Sequence, residues 1–171
     1  ELMRSRTAIA PYANTLVPGD KERLVALADM VADVKGGGII MDVKGSRVYF
    51  ETDSELAKKY NLVEPRYDIK EVISYLKGRG IYTMARYIAV KDDGLAKADP
   101  STQIRNPVTG ESMGDTWTDP GNPTMLEYNK QILKDLIATG IDEINFDYIR
   151  FPTEYGLNDV GLSADQKAER V

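Results

Sequence analysis

The sequence contains no cysteine and no histidine, and these two absences exclude several kinds of enzyme chemistry. Without a thiol there is no disulfide, no cysteine nucleophile and no iron–sulfur ligation. Without an imidazole there is no Ser–His–Asp hydrolysis and no histidine-ligated zinc. Acid–base catalysis would therefore fall to aspartate, glutamate, lysine or tyrosine, and a metal ion could be held only by oxygen ligands. We expect no cofactor.

Charge and hydropathy exclude two further classes of partner. The net charge of −5 argues against a nucleic-acid partner, because such a partner requires a basic face. No apolar run approaches the ~20 residues of a membrane span, and the start of the chain does not resemble a signal peptide. At 171 residues the chain is long enough for one domain with a substantial core.

Four strand-then-helix units follow one another along the chain. The apolar runs predict strands at Thr7–Tyr12, Ile39–Val43, Ile81–Val90 and Glu143–Tyr148. Helices are predicted after the N-cap residues Asp20, Asp68 and Asn122, and over the short segment Ser54–Tyr60. Strands that alternate with helices indicate crossover connections, and therefore a parallel α/β sheet.

The loops of this pattern are unequal. Those entering the strands are short, whereas those leaving them are long and polar, such as residues 91–121. This asymmetry is typical of a (β/α)8 TIM barrel, in which the chemistry lies at the carboxyl ends of the strands. We predict a single barrel domain over residues 1–171, truncated after its first four β/α units. Self-association of half-barrels and an open sheet remain alternatives.

The segment Gly140–Pro152 (GIDEINFDYIRFP) carries the strongest functional signal. In the predicted strand, Ile144 and Phe146 alternate with Asn145 and Asp147, so one face suits packed helices and the other presents an amide and a carboxylate. Because Asp147 comes at the strand's carboxyl end, it is the principal candidate for catalysis.

Other charged and aromatic residues follow the remaining strands. They are Asp42 and Lys44 after the second strand, Arg86 and Lys91 in and after the third, Arg150 after the fourth, and Trp117 and Asp119 in the long loop. Carboxylates interleaved with arginines can move one another's pKa values apart, as acid–base catalysis requires. An aromatic side chain at the rim suits the apolar face of a sugar ring.

Each of these residues also has a structural interpretation. Arg86 could orient the two carboxylates, Arg150 could anchor its loop, and Trp117 could cover a hydrophobic cluster. Asp119 precedes a proline, which is typical of a turn. The side chains of Lys44 and Lys91 are expected in solvent.

Four segments in this order and spacing resemble a known family: IIMDVK, ARYIAVKDD, TWTDP and IDEINFDYIRFPT. They resemble the bacterial "putative glycosyl hydrolase domain" family, a barrel related to the α-amylase-like glycosidases. The resemblance covers about residues 7–155. It implies a full eight-stranded barrel, a carbohydrate-active enzyme, and an extracellular or cell-envelope location.

The resemblance also implies roles for the candidate residues. Asp147 would be the nucleophile of a glycoside hydrolase, kept ionised by Arg86 and Arg150, and the acid would lie on a later strand. From its position at a strand end, Asp42 is a second catalytic candidate. From their positions after the strands and in the long loop, the substrate-binding candidates are Arg86, Arg150, Trp117, Asp119, Tyr148 and Lys91.

Two other functions remain open. The first is a non-catalytic glycan-binding or scaffold module of the cell envelope, in which Trp117, Tyr148, Tyr87 and the arginines bind sugar without cleaving it. The second is oxygen-ligated metal chemistry by Asp42, Asp119 and Asp147.

Overall fold

The structure, a computed structural model, describes residues 10–153 and 160–171. In chain order its elements are β1 (Tyr12–Ala13), α1 (Leu16–Gly19), α2 (Lys21–Ala32), β2 (Gly38–Lys44), α3 (Glu55–Lys59), α4 (Ile69–Gly78), β3 (Tyr82–Ile88), α5 (Asp93–Ala98), a 3₁₀ turn (Pro100–Thr102), α6 (Pro123–Ala138), β4 (Glu143–Asp147) and α7 (Ala164–Arg170). Within these described ranges, no helix combines the length and apolar character needed to cross a membrane.

The four strands form one parallel sheet in the order β1-β2-β3-β4. Consecutive strands are neighbours, so every crossover steps in the same direction around the sheet. This arrangement places all four carboxyl ends at one edge, as the alternation of strands and helices predicted. The predicted parallel α/β sheet is therefore confirmed.

The hydrophobic core lies between the sheet and its helices. Ile39, Met41 and Val43 of β2 and Thr83, Ala85 and Tyr87 of β3 point to this side and are almost fully buried. Helices α2, α4 and α6 cover them with apolar stripes that include Leu24, Ala28, Val31, Val72, Ile73, Leu76, Ile132 and Leu136. The side chains at the intervening positions face the opposite side of the sheet, which corresponds to the interior of a barrel.

The helices begin where their N-cap residues predicted. Asp20 accepts hydrogen bonds from the second and third amides of α2, Asp68 does the same for α4, and Asn122 does so for α6. Ser54 caps α3 through the amide of Ala57. Caps of this kind stabilise a helix by about 1 kcal/mol each.

Three helices lie outside the segments that were predicted to be helical. The polar loop after β3 contains α5, which Asp92 caps through the amide of Leu95. The polar residues at the end of the sequence form α7, which begins with a capping box between Ser163 and Gln166. Helix α1 lies in the loop after β1. Of the predicted first strand, residues 7–9 lie outside the described residues.

A β-bulge in β2 decides where two charged residues go. Asp42 lies beside Arg86 of β3, but the register then shifts, and Lys44 lies beside Tyr87. Residues that are directly paired in neighbouring strands share a face. Without the bulge Lys44 would follow Asp42 to the barrel side, but with it Lys44 points into the helix layer, where Tyr87 lies.

The expectation that Lys44 is solvated was therefore wrong. Its side chain is fully buried, and Nζ donates to Asp92 Oδ2 at 2.6 Å and to the Ile88 carbonyl oxygen at 2.9 Å. The ammonium also lies 5.2 Å from the ring centroid of Tyr87 and 5.3 Å from that of Tyr128. Because Asp92 also caps α5, this ion pair ties the end of β2 to the end of β3 and to the helix that follows.

A close contact between two backbone segments also fixes the turn after β2 against α5. A Cβ atom added at Gly94 in α5 would lie 1.9 Å from the carbonyl oxygen of Ser46, in the turn after β2. The Ser46 hydroxyl donates to the Asp93 carboxylate beside it. Only glycine permits this contact between the turn and the helix.

Loss of the buried lysine should destabilise the fold strongly. We expect Lys44→Met to lower the free energy of unfolding by about 3–5 kcal/mol, because it leaves the Asp92 carboxylate buried without a counter-charge. Adding Asp92→Asn should restore much of the loss, since no buried charge then remains and the cap is kept. Urea unfolding measures both, and Lys130→Met at an exposed site serves as control. Equal stability of Lys44→Met and the control would contradict the role assigned to the pair.

Two glycine substitutions form a matched pair. Gly94→Ala should lower the free energy of unfolding by about 1–3 kcal/mol, because the new methyl group forces the turn and helix apart. Gly78→Ala, in α4, has no heavy atom within 4 Å of its added Cβ and should be neutral or slightly stabilising. Thermal or urea unfolding compares the two. A Gly94→Ala variant as stable as Gly78→Ala would show that the turn yields freely.

Candidate functional site

Asp42, Arg86 and Asp147 meet on the barrel side of the sheet, near the carboxyl ends of three adjacent strands. Asp42 of β2 lies beside Arg86 of β3, and Asp147 of β4 lies beside Ile88, two residues further along β3. Alternation along β3 puts Arg86 and Ile88 on the same face, so all three charged side chains converge. The sequence allowed this arrangement, because it placed Asp42 and Asp147 at strand ends and Arg86 within the strand between them.

Arg86 bridges the two carboxylates. Its Nη1 donates to Asp42 Oδ1 at 2.9 Å, while Nε and Nη2 both donate to Asp147 Oδ2, at 2.9 and 2.6 Å. Partial burial lowers the pKa of the guanidinium, but the hydrogen bonds and negative charges of Asp42 and Asp147 outweigh it and raise the pKa above its usual value. Arg86 therefore remains a cation, and the role suggested for it, that of orienting the two carboxylates, requires this charge.

The two carboxylates differ in access and in further partners. The side chain of Asp147 is 39% exposed and that of Asp42 only 14%. Asp42 also accepts a hydrogen bond from the Tyr12 hydroxyl, and its backbone carbonyl accepts one from Tyr67 at 2.6 Å. A ligand can therefore reach the carboxylate of Asp147, whereas the carboxylate of Asp42 is largely covered by its neighbours.

Tyr12 and Tyr67 were not among the predicted site residues. Burial, followed by the hydrogen bond and charge of Asp42, raises the pKa of Tyr12 to about 12. Burial, with the charge of Asp42, raises the pKa of Tyr67 well above its usual value. Both hydroxyls therefore remain donors at neutral pH. Tyr12 ends its predicted strand and could have been found by the strand-end rule, whereas no sequence signal marks Tyr67.

Tyr148 occupies a strained position directly after the exposed carboxylate. Its φ of 55° lies in the left-handed region, which costs a non-glycine residue of order 1–3 kcal/mol. The conformation lets its backbone N–H donate to Asp147 Oδ1 at 2.8 Å. The tyrosine ring meets Trp117 edge-on, with centroids 5.9 Å apart.

Two cations flank this aromatic pair. Arg150 Cζ lies 5.0 Å from the Trp117 ring and 5.7 Å from the Tyr148 ring. Lys91 Nζ lies 5.0 Å from the Tyr148 ring and 5.5 Å from that of Trp117. Lys91 was expected in solvent, but it is partly buried against these rings. Trp117 itself is only 2% exposed, so the structure gives it the packing role and not that of a rim aromatic open to a sugar.

Two further predicted residues lie outside the cluster. Asp119 accepts from the Gly121 amide at 2.9 Å, as a turn residue does, and pairs with Arg170 of α7 at 3.0 Å. Tyr87 is fully buried in the helix layer, where its hydroxyl donates to Asn129, so the suggestion that it contacts sugar was wrong.

The metal hypothesis is also not supported by this placement. Among residues 10–153 and 160–171, no three acidic side chains are grouped as a metal site would need. Asp42 and Asp147 instead face the Arg86 guanidinium, which occupies the position a cation would take between them.

Comparison with solved structures gives the fold its context. A hypothetical protein from Ruminiclostridium thermocellum matches 93% of this chain and 85% of its own length, with a TM-score of 0.79 and 24% identity. The catalytic modules of the pneumococcal exo-β-D-N-acetylglucosaminidase StrH match 90% of this chain, with a TM-score of 0.57 and 15% identity. The α-galactosidase from Lactobacillus brevis matches 92%, with a TM-score of 0.56 and 15% identity. No curated protein matches.

The chain spans 43% of the StrH structure and 22% of the α-galactosidase structure. These enzymes are glycosidases with TIM-barrel-like folds, and the four-stranded sheet corresponds to part of such a barrel. The predicted fold class is thereby confirmed. The family described as "Putative glycosyl hydrolase domain" matches residues 10–171, nearly the whole sequence, and the chain belongs to this family.

Proposed function

We propose that this chain contributes the catalytic carboxylate of a glycoside hydrolase, and that the carboxylate is Asp147. The observation that carries the proposal is the placement of this side chain. It lies at the carboxyl end of a strand, is 39% exposed, and has both oxygens fixed, one by Arg86 and one by the Tyr148 amide. A carboxylate that is both reachable and held in one orientation suits attack on an anomeric carbon.

Asp147 acts as the nucleophile in this proposal. Each carboxylate oxygen has two lone-pair sites, so Oδ1 can attack while it still accepts the Tyr148 N–H. Attack on the anomeric carbon breaks its bond to the leaving oxygen and forms a covalent glycosyl-enzyme ester. Water then hydrolyses this ester, which releases the sugar, and the fixed positive charge of Arg86 stabilises the regenerated carboxylate.

Glycoside hydrolysis needs a second carboxyl group to protonate the leaving oxygen. Asp42 is a poor candidate because it is only 14% exposed and is engaged by Arg86 and Tyr12. We assign it a positioning role, in which it sets the orientation of Arg86. The acid is proposed to come from a strand beyond these four units, in the part of a barrel that completes the sheet.

The substrate class proposed is a glycan or oligosaccharide with an O-glycosidic bond. The family description supports it, and so do the structural neighbours, which include an α-galactosidase, β-N-acetylhexosaminidases and an α-amylase. Strand-end position, access and charge support it independently of those names.

Replacement of the proposed nucleophile should abolish hydrolysis. We expect Asp147→Asn to lower kcat by about 10⁴-fold or more, as loss of a covalent nucleophile does in other hydrolases, while sugar binding persists. The assay uses the natural full-length protein and a panel of aryl glycosides and polysaccharides, with calorimetry to follow binding.

Asp33→Asn provides the matched control. Asp33 is an exposed aspartate that ends α2 shortly before β2 begins, so it lies towards the amino ends of the strands and away from the carboxyl ends that carry the site. It should retain full activity. Full activity in Asp147→Asn would overturn the catalytic assignment, and sugar binding without hydrolysis by the unsubstituted protein would favour the glycan-binding module instead.

The guanidinium bridge generates a second prediction. Arg86→Lys keeps the charge but loses the fork that reaches Asp42 and Asp147 together. We expect kcat to fall by about 10²-fold with KM little changed, because the nucleophile is misplaced and not removed.

Arg79→Lys is the control for this substitution. Arg79 also binds a carboxylate, that of Asp29 at 2.6 Å, but it lies between α4 and the amino end of β3, away from the carboxyl ends of the strands. Its replacement should leave both kcat and KM unchanged. Loss of activity to the same degree in both variants would indicate general destabilisation and contradict a specific role for Arg86.

A further inference from the structure

We propose that the sugar bound at this site carries a carboxylate, and that Arg150 binds that carboxylate. This inference rests on the proposed function and adds the class of substrate to it, namely an acidic glycan such as one that contains a uronic acid. It depends on four observations: how Arg150 is held, which of its N–H groups are occupied, which charges surround it, and where it lies relative to Asp147.

The guanidinium of Arg150 is fixed without being buried. Two aromatic rings, those of Trp117 and Tyr148, lie within 5.0 and 5.7 Å of its Cζ atom. Its Nη1 donates to the Phe151 carbonyl oxygen at 3.0 Å and to the Thr153 hydroxyl at 3.2 Å. The residue as a whole remains exposed. A side chain held in this way loses little further entropy when it binds a ligand.

The remaining edge of the guanidinium matches a carboxylate. Both of its described hydrogen bonds come from Nη1, and in the described part of the chain Nε and Nη2 of Arg150 make none. These two groups point the same way and form the side-on fork that binds a carboxylate. Arg86 uses the same edge, Nε with Nη2, to hold Asp147. Arg150 is an exposed residue in which this fork holds no carboxylate of the described residues, whereas in Arg86 the same fork is occupied by Asp147.

The charges around the site favour an anionic ligand at this point. No carboxylate of the described residues forms an ion pair with Arg150, whereas the strand-end carboxylates of Asp42 and Asp147 both pair with Arg86. The Arg86 cluster has two carboxylates and one cation, an excess of one negative charge. An acidic sugar would be repelled there unless a cation offset it, and Arg150 supplies that cation.

Arg150 is also connected to the reactive position. Tyr148 supports the guanidinium with its ring and the Asp147 carboxylate with its backbone amide. An anion bound to the fork would thus lie beside the strand end that carries the proposed nucleophile. The energy of binding that anion would position the sugar for attack, although the anion itself takes no part in the reaction.

The test compares acidic oligosaccharides with their own neutral counterparts. Short oligogalacturonides and oligoglucuronides are measured against carboxyl-reduced samples of the same chains, so that length and linkage stay constant. Calorimetry at fixed ionic strength is carried out on the full-length protein with Asp147→Asn, which prevents turnover. We expect at least one acidic chain to bind tenfold or more tightly than its reduced form, since a charge-assisted pair of hydrogen bonds gives about that factor.

Three variants identify the residue responsible. Arg150→Gln should remove the preference for the acidic form, and Arg150→Lys should keep part of it, because it retains the charge without the fork. Arg105→Gln is the matched control, because Arg105 is an exposed arginine whose side-chain hydrogen bonds within the described residues go to the carbonyl oxygens of Gly110 and Pro100. It should leave the preference intact.

The outcomes separate this inference from the proposed function. Equal binding of acidic and reduced chains would overturn the inference and leave the glycosidase proposal standing. A preference that survives Arg150→Gln, or failure of every acidic chain to bind, would likewise overturn it. The glycosidase proposal is tested separately, by hydrolysis in the protein with and without Asp147→Asn.

Discussion

The β-bulge between Asp42 and Lys44 is the constraint on which both the site and its support depend. One extra residue in β2 sends two successive polar side chains to opposite sides of the sheet. Asp42 remains on the barrel side and meets Arg86, while Lys44 enters the helix layer and meets Asp92. A regular strand would place both charges on one face, where Lys44 would compete with Arg86 for the carboxylates. The bulge therefore separates the ion pair of the proposed functional site from one that supports the fold.

The two ion pairs illustrate how burial determines what a charge can do. Lys44 and Asp92 have no exposed surface, and every donor or acceptor contact they make is with the fold itself. Breaking such a pair is costly because the remaining charge has no water to stabilise it. Arg86 and Asp147 retain 23% and 39% exposure, so a ligand can replace solvent at their surface. The buried Lys44–Asp92 pair holds the ends of β2 and β3 in place. The partly exposed Arg86–Asp147 pair lies at the strand ends, where a ligand can reach it.

Much of the architecture followed from local sequence signals. Cap residues such as Asp20, Asp68 and Asn122 predicted the helix starts, and alternation in β4 predicted that Asp147 faces away from the helices. The convergence of Asp42, Arg86 and Asp147 followed from a rule of parallel sheets, since carboxyl ends of adjacent strands meet at one edge. These features depend on the spacing of residues along the chain, which the sequence displays directly.

The features that were missed depend on contacts between distant segments. The register shift that buries Lys44 is set by pairing with β3 and is invisible in a seven-residue strand. Trp117 is covered by Tyr148, Lys91 and Arg150, which lie 26 or more positions away in the sequence. The helix α5 lies in a polar segment whose start is fixed by Asp92, a residue that the buried Lys44 holds in place. In each case tertiary packing overrode the local pattern.

The strained backbone at Tyr148 combines a local feature, its place directly after β4, with contacts to distant segments of the chain. A left-handed tyrosine is unfavourable in isolation, and it persists where the surrounding structure compensates for the cost. Here the compensation is visible on both sides of the residue. The amide binds the Asp147 carboxylate, and the ring packs on Trp117 between two cations. The conformation that orients the carboxylate is thus the same one that builds the aromatic support for Arg150. Because Tyr148 serves both purposes, the orientation of the proposed nucleophile and the placement of the proposed anion-binding group depend on each other. Relaxation of the Tyr148 backbone would release Asp147 Oδ1. It would also withdraw one of the two rings that hold the Arg150 guanidinium.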